Sequence, residues 1–144
     1  MRSEEFEMFD ELVFVYGTLK SGFHNNYLLS REEYICKGET VEKYLLTEDG
    51  IPYVSDQIEL SHIQGEVYKV SPDSLMDLDM LEGHPNWYER KQVKIKGNDD
   101  SVRVCWLYFN EKSLGSLINQ DGDYGKENAR RIPILLQQEN QEKN

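Results

Sequence analysis

The sequence predicts a single α+β domain built on a highly curved, barrel-like sheet of five or six strands, with a few helices packed outside it. Three observations predict this class. Short runs of β-branched and aromatic residues recur between turn residues, one segment carries helix punctuation at both ends, and no repeat, low-complexity block or Pro/Gly/Ser linker divides the middle. At 144 residues the chain has the usual length of one domain, long enough to bury roughly two-thirds of its unfolded surface. The domain is expected to span residues 1–144, with an ordered core over about 11 to 136 and loose polar ends at 2–11 and 137–144.

The first strand is Leu12-Val13-Phe14-Val15, an apolar run that ends in Tyr16-Gly17, as a buried strand entering a tight loop does. Residues 25–30 suit one helical turn. Residues 34–46 read as strand material interrupted at Gly38 and followed by a Glu48-Asp49-Gly50 turn. Residues 65–70 alternate as a strand. The clearest helix follows, with Ser71 as N-cap, Pro72 at the first helical position, Asp73 in the first turn and Gly83 as the C-terminal cap. Residues 91–95 and 102–108 then form a hairpin about Gly97-Asn98-Asp99-Asp100, and Val102, Val104, Trp106 and Tyr108 share one face of its second strand.

Composition narrows the function. Sixteen basic against 27 acidic residues give a net charge of −11, which opposes binding to phosphate backbones, so no nucleic acid partner is expected. The cations Arg90, Lys91, Lys94 and Lys96 are read as a solubilising strand face. No stretch approaches the ~20 apolar residues of a membrane span, and the N-terminus lacks the apolar core of a secretion signal. No membrane partner is expected, and a cytoplasmic location is. Cys36 and Cys105 fall within strands with no CxxC partner and are expected to be buried free thiols. No heptad pattern or exposed apolar helix is evident, so a monomer is expected.

The candidate chemistry centres on Glu82. On a helical wheel it falls between Leu75 and Leu78, the two core-facing leucines, so its carboxylate points inward. Burial and the negative end of the helix dipole both disfavour the ionised form there, raising the pKa toward the range where a carboxylate cycles protons at neutral pH. The alternative is a buried glutamate tied up by Arg90 or a tyrosine. Asp73, Asp77 and Asp79 lie outside the stripe and are read as a solvated face. In the Tyr16-Gly17-Thr18-Leu19 loop, glycine allows a sharp turn that presents successive N–H groups to an anionic or carbonyl oxygen, although an ordinary strand-to-turn transition explains the same residues. His24, His62 and His84 lack metal-site spacing, and no dinucleotide, nucleoside triphosphate or serine-hydrolase motif occurs.

The run Val13-Phe14-Val15-Tyr16-Gly17-Thr18-Leu19-Lys20-Ser21-Gly22, followed by Asn25 or Asn26, resembles the opening motif of the γ-glutamylcyclotransferase-like superfamily. Gly65-Glu66-Val67-Tyr68 resembles its central strand. Leu78-Asp79-Met80-Leu81-Glu82-Gly83-His84-Pro85-Asn86-Trp87-Tyr88-Glu89-Arg90 resembles its helix-end signature, whose glutamate is catalytic. The nearest branch is that of the γ-glutamylaminecyclotransferase and AIG2-like proteins. The resemblance implies that family's fold and an enzyme with Glu82 as general acid/base and Tyr16, Gly17, Thr18 and Leu19 as substrate-binding loop. Tyr88 and Tyr124 are expected to line the pocket, and Arg90 to pair with a carboxylate. The implied reaction releases 5-oxoproline and a free amine from a small γ-glutamyl substrate, with no metal or organic cofactor. A binding module that holds a γ-glutamyl or other carboxylate-bearing ligand without turning it over is the alternative.

Overall fold

The computed structural model describes residues 10–134, and the two ends expected to be loose lie almost wholly outside them. The element order is β1 (Glu11–Val15), a 3-10 turn (Asn26–Leu29), β2 (Glu33–Glu48), β3 (Pro52–Ser55), β4 (Ser61–Val70), α1 (Pro72–Glu82), β5 (Glu89–Gly97), β6 (Val102–Phe109), β7 (Leu117–Asn119) and β8 (Arg131–Pro133). Five of the strands close a barrel in the order β4, β1, β6, β5, β2 and back to β4. The β1–β6 pair is parallel and the other four are antiparallel.

Closure depends on β2. This 16-residue strand pairs with β4 and β5 through its first two-thirds, shifts register twice against β4, and then leaves to pair with β3 and β7. The sequence reading treats it as interrupted material, but the irregularities are register shifts against β4, between Tyr34 and Cys36 and between Glu39 and Lys43, across which the strand continues. The short strands β3, β7 and β8 lie beyond the five or six predicted. The class and the curved sheet are as expected.

Alternation along the barrel strands divides two cores. Phe14, Tyr16, Cys36, Val67, Ile95, Cys105, Leu107 and Phe109 belong to the inner cluster. Val13, Val15, Tyr68 and Tyr108 point outward and pack with Leu75 and Leu78 of α1, so the helix covers the outside of the sheet. Both cysteines are free and buried.

The helix ends are as the sequence marks them. Ser71 is extended and its hydroxyl accepts from Ser74 N–H at 3.1 Å, with Pro72 just inside. At the other end Gly83 takes φ 67°, its N–H reaches Met80 O, and His84 N–H reaches Asp79 O at 2.9 Å. This is the Schellman arrangement, in which the left-handed residue is best a glycine. It fixes where Glu82 leaves the helix.

Candidate active site

Where β1 ends, a cavity of about 240 Å³ opens between residues 16–19, the C-terminal end of α1, Trp87 and Tyr88, and the Ile51-Pro52 corner before β3. Glu82, Tyr16, Gly17, Thr18, Leu19 and Tyr88 all line it, so six of the seven residues expected at the site meet there. Tyr124 does not line it. Its hydroxyl donates to Gly50 O at 2.8 Å and its ring lies against Phe23 at 5.9 Å. Its hydrogen bond acts on the site through the chain it holds, since Gly50 precedes Ile51.

The loop after β1 is fastened by its carbonyls. Gly17 O accepts from Lys20 N–H, Thr18 O from Asn25 N–H, and Leu19 O from the Asn26 side chain at 2.8 Å. Asn25 also donates to the Thr18 hydroxyl at 2.8 Å, and Ser21 N–H goes to the buried Glu66 carboxylate at 2.9 Å. No described residue accepts from the N–H groups of Gly17, Thr18 or Leu19. A loop whose acceptors are consumed and whose donors are free suits an anionic or carbonyl oxygen.

Glycine at position 17 has a reason the sequence does not reveal. Its φ is not positive; instead, a Cβ there would meet Pro52 Cγ at 2.8 Å. The residue allows β3 to approach the loop. Tyr16 also differs in its role from a substrate-facing phenol. Its ring is buried and its hydroxyl donates to Tyr108 O at 2.7 Å, tying the loop to β6. Burial, with Tyr88 and Glu82 nearby, pushes this phenol well above its ordinary range. Tyr88 likewise donates inward, to Pro52 O at 2.7 Å, and presents its ring to the cavity.

No described side chain hydrogen-bonds or ion-pairs with the Glu82 carboxylate, which excludes Arg90 as its partner. Desolvation raises its pKa to about 7, as a carboxylate with nothing to neutralise it must behave. Arg90 instead grips Asp79 through two bonds of 2.8 and 3.1 Å, and its guanidinium lies over Trp106 at 4.2 Å. The expected pairing of Arg90 with a carboxylate holds. The solvated reading of Asp79 does not: its side chain is 19% exposed and also accepts from the Tyr108 hydroxyl. Burial alone would raise Asp79, but the Arg90 and Tyr108 hydrogen bonds outweigh it and hold the carboxyl below its usual range. Two carboxylates three residues apart are thus driven in opposite directions, a pattern that assigns different jobs to each.

Sequence reasoning misses Pro52, Leu81, Trp87 and Tyr108 as cavity residues. Tyr108 had a signal, being on the face of β6 shared with Trp106. Pro52 had none, because β3 is too short for periodicity to declare it. Elsewhere, His62 Nδ1 lies 2.8 Å from Thr40 O and His84 Nδ1 accepts from Arg90 N–H. Among the described residues no group of three or more His, Cys, Asp or Glu could hold a metal ion, and no helix is long and apolar enough to cross a membrane.

Residues 13–126 match the family described as gamma-glutamyl cyclotransferase, AIG2-like. A Methanocaldococcus jannaschii protein named "Putative gamma-glutamylcyclotransferase" is 45% identical over 115 residues, covering 79% of this chain and 95% of that one. Gamma-glutamylaminecyclotransferase C of Danio rerio is 34% identical over 124 residues, covering 78% of each. The crystal structure of an AIG2-like protein from Mus musculus superposes with a TM-score of 0.72 at 24% identity, over 82% of this chain and 90% of that one, a likeness of fold. The matched stretch contains the barrel but for the first two residues of β1, the loop after β1 and the whole of α1, and on it this chain belongs to the gamma-glutamyl cyclotransferase, AIG2-like family.

Proposed function

We propose that the chain is a γ-glutamyl cyclotransferase that converts a γ-glutamyl amine to 5-oxoproline and a free amine, with Glu82 as general acid/base. The observation that carries this reading is an unpartnered carboxylate, raised to about 7 by desolvation, in one cavity with the free N–H groups of Gly17, Thr18 and Leu19. The names of the relatives support the general activity.

In this reading ionised Glu82 takes a proton from the substrate's α-ammonium, and the freed amine attacks the γ-carbonyl carbon of the same molecule. A C–N bond forms as the five-membered lactam closes. The old amide C–N bond then breaks, and protonated Glu82 gives its proton to the departing nitrogen. The second proton leaves the attacking nitrogen and also ends on the released amine, so the carboxylate is restored. The loop amides hold the substrate's α-carboxylate or the developing oxyanion. Local donors of this kind are needed because a chain of net charge −11 repels an anionic substrate at long range. The buried free thiols Cys36 and Cys105 accord with a cytoplasmic location.

The test is incubation with a panel of γ-glutamyl amines and γ-glutamyl amino acids, reading 5-oxoproline by mass spectrometry. Lactam formed by the wild type and not by Glu82→Gln supports the enzyme. A rise in melting temperature with no lactam from any compound would make the protein a binding module instead.

A further inference from the structure

The turn at residues 120–125, between β7 and β8, is fastened to the barrel from several sides. Asn119 is fully buried, and its side-chain oxygen accepts from Asp121 N–H at 3.1 Å and Asp123 N–H at 3.4 Å. The amide of the same side chain donates to Asp123 O at 3.0 Å and to Glu48 of β2 at 2.8 Å. Gly122 O accepts from Gln64 N–H of β4 at 2.8 Å. From this fixed turn, Asp123 and Tyr124 reach two walls of the candidate active site. The Lys20 ammonium, at the end of the loop after β1, donates to Asp123 Oδ1 at 3.3 Å and to Tyr124 O at 2.7 Å. Lys20 is 8% exposed, and a lysine is held out of water to that degree only where its charge is paired. On the other wall, the Tyr124 hydroxyl holds Gly50 O. Neither Lys20 nor Tyr124 lines the cavity itself.

Resting on the function proposed above, we infer that Lys20 and Tyr124 are positioning residues of the reaction. Joined through Asp123 and its turn, they clamp the donor amides of Gly17, Thr18 and Leu19 against the Ile51-Pro52 corner of the same cavity. Lys20 N–H closes the loop on Gly17 O at 3.0 Å, so a shift of Lys20 passes to all three amides. Its bond to Tyr124 O comes from an ammonium and is of the stronger, charge-assisted kind. On the facing wall Gly50 leads directly into Ile51 and Pro52. The two walls stand close enough that a methyl at Gly17 would strike Pro52. Attachment of both to one turn sets their separation, and with it the place where a substrate oxygen meets the amides. None of the hydrogen bonds of the clamp reaches α1. Its release therefore moves the donors and leaves Glu82 in its dry setting.

The experiment measures lactam formation by Lys20→Met, Tyr124→Phe and the double variant between pH 5 and 9, on the γ-glutamyl compound of the panel that the wild type turns over fastest. Lys20→Met keeps the buried stem filled and removes the ammonium, and kcat/KM is expected to fall about tenfold. Tyr124→Phe deletes one hydroxyl and should cost about threefold. In both variants the inflection of the pH profile stays at about 7, because the surroundings of Glu82 are untouched. The double variant should be no slower than Lys20→Met, since either change opens the same clamp. Wild-type kcat/KM in both single variants overturns the clamp and leaves the cyclotransferase standing. A loss accompanied by an inflection that slides toward ~4.3 means that the whole site has opened to water, and it overturns the positioning role. So does a double variant whose loss is the product of the two single losses. If Lys20→Met does not fold, Tyr124→Phe, at a half-buried position, decides by its own rate and profile. Lactam from no compound with the wild type overturns both the clamp and the function on which it rests.

Discussion

The Tyr108 hydroxyl donates to Asp79 Oδ1 at 2.6 Å, and Asp79 stands one helical turn before Glu82. The same carboxylate holds both Tyr108, a wall of the cavity, and Arg90, its cross-strand neighbour on β5. The end of α1 is thereby locked to the β5–β6 hairpin, and Glu82 is carried on an anchored helix.

Removal of that anchor is predicted to cost stability in a definite order. Tyr108→Phe deletes one hydrogen bond and leaves Asp79 paired, which costs about 1 kcal/mol. Asp79→Ala strands a partly buried guanidinium and costs about 2 to 3 kcal/mol, reduced from the fully buried case by partial solvation. Urea denaturation of the two variants checks this, and a larger loss in Tyr108→Phe would contradict the assignment of Asp79 as the hub.

The pH dependence of turnover follows from the raised pKa of Glu82. In its proposed role as base Glu82 must be ionised, so kcat/KM is expected to rise with pH through an inflection at about 7. Steady-state kinetics between pH 5 and 9 read this directly. An inflection near ~4.3, the value of a solvated glutamate, would mean that the carboxylate is not in a dry site.

The same shift has the opposite sign for stability. The folded state prefers protonated Glu82, so its contribution is fully present below its ordinary range and is lost as pH rises through about 7. Glu82→Gln escapes that loss. The variant is predicted to lose about 10²-fold or more in turnover. It should also be more stable than the wild type at pH 8 by about 1 to 3 kcal/mol, allowing for residual solvation of the carboxylate. Thermal melts at pH 4.5 and 8 test it, with the difference expected to vanish at the lower pH.

At Gly17 the prediction concerns the loop. Gly17→Ala sets a methyl 2.8 Å from Pro52 Cγ, so loop or corner must move. A displacement of a few tenths of an ångström in the donor amides should lower kcat/KM about tenfold, with the melting temperature little changed. Unaltered kinetics would show that these amides do not hold the substrate.

Much of this site can be read from the chain because its key residues announce themselves locally. Ser71, Pro72 and Gly83 bound the helix through rules that need no tertiary context, and Leu75 and Leu78 then orient Glu82. Asp79 was misread for the complementary reason. A wheel position states which way a side chain faces along its own helix, not that Arg90 and Tyr108 from a distant hairpin will cover it. The register shifts in β2 and the brief β3 escape periodicity arguments for the same cause: their geometry is imposed by partners, β4 on one side and the remainder of β2 on the other. Tyr124 shows the limit of reasoning from residue type, since a tyrosine expected to line the pocket serves here to hold Gly50.

In the function proposed above, the loop after β1 offers main-chain donors, and this determines how the site can fail over evolutionary time. A side-chain donor disappears with almost any replacement, whereas the amides of Thr18 and Leu19 survive every substitution except proline, the one residue without an N–H. Drift in the side chains of this loop is therefore buffered at the level of recognition. Glu82 has no such redundancy, so descendants of this chain that lose catalysis first should persist as ligand-holding proteins with the loop intact.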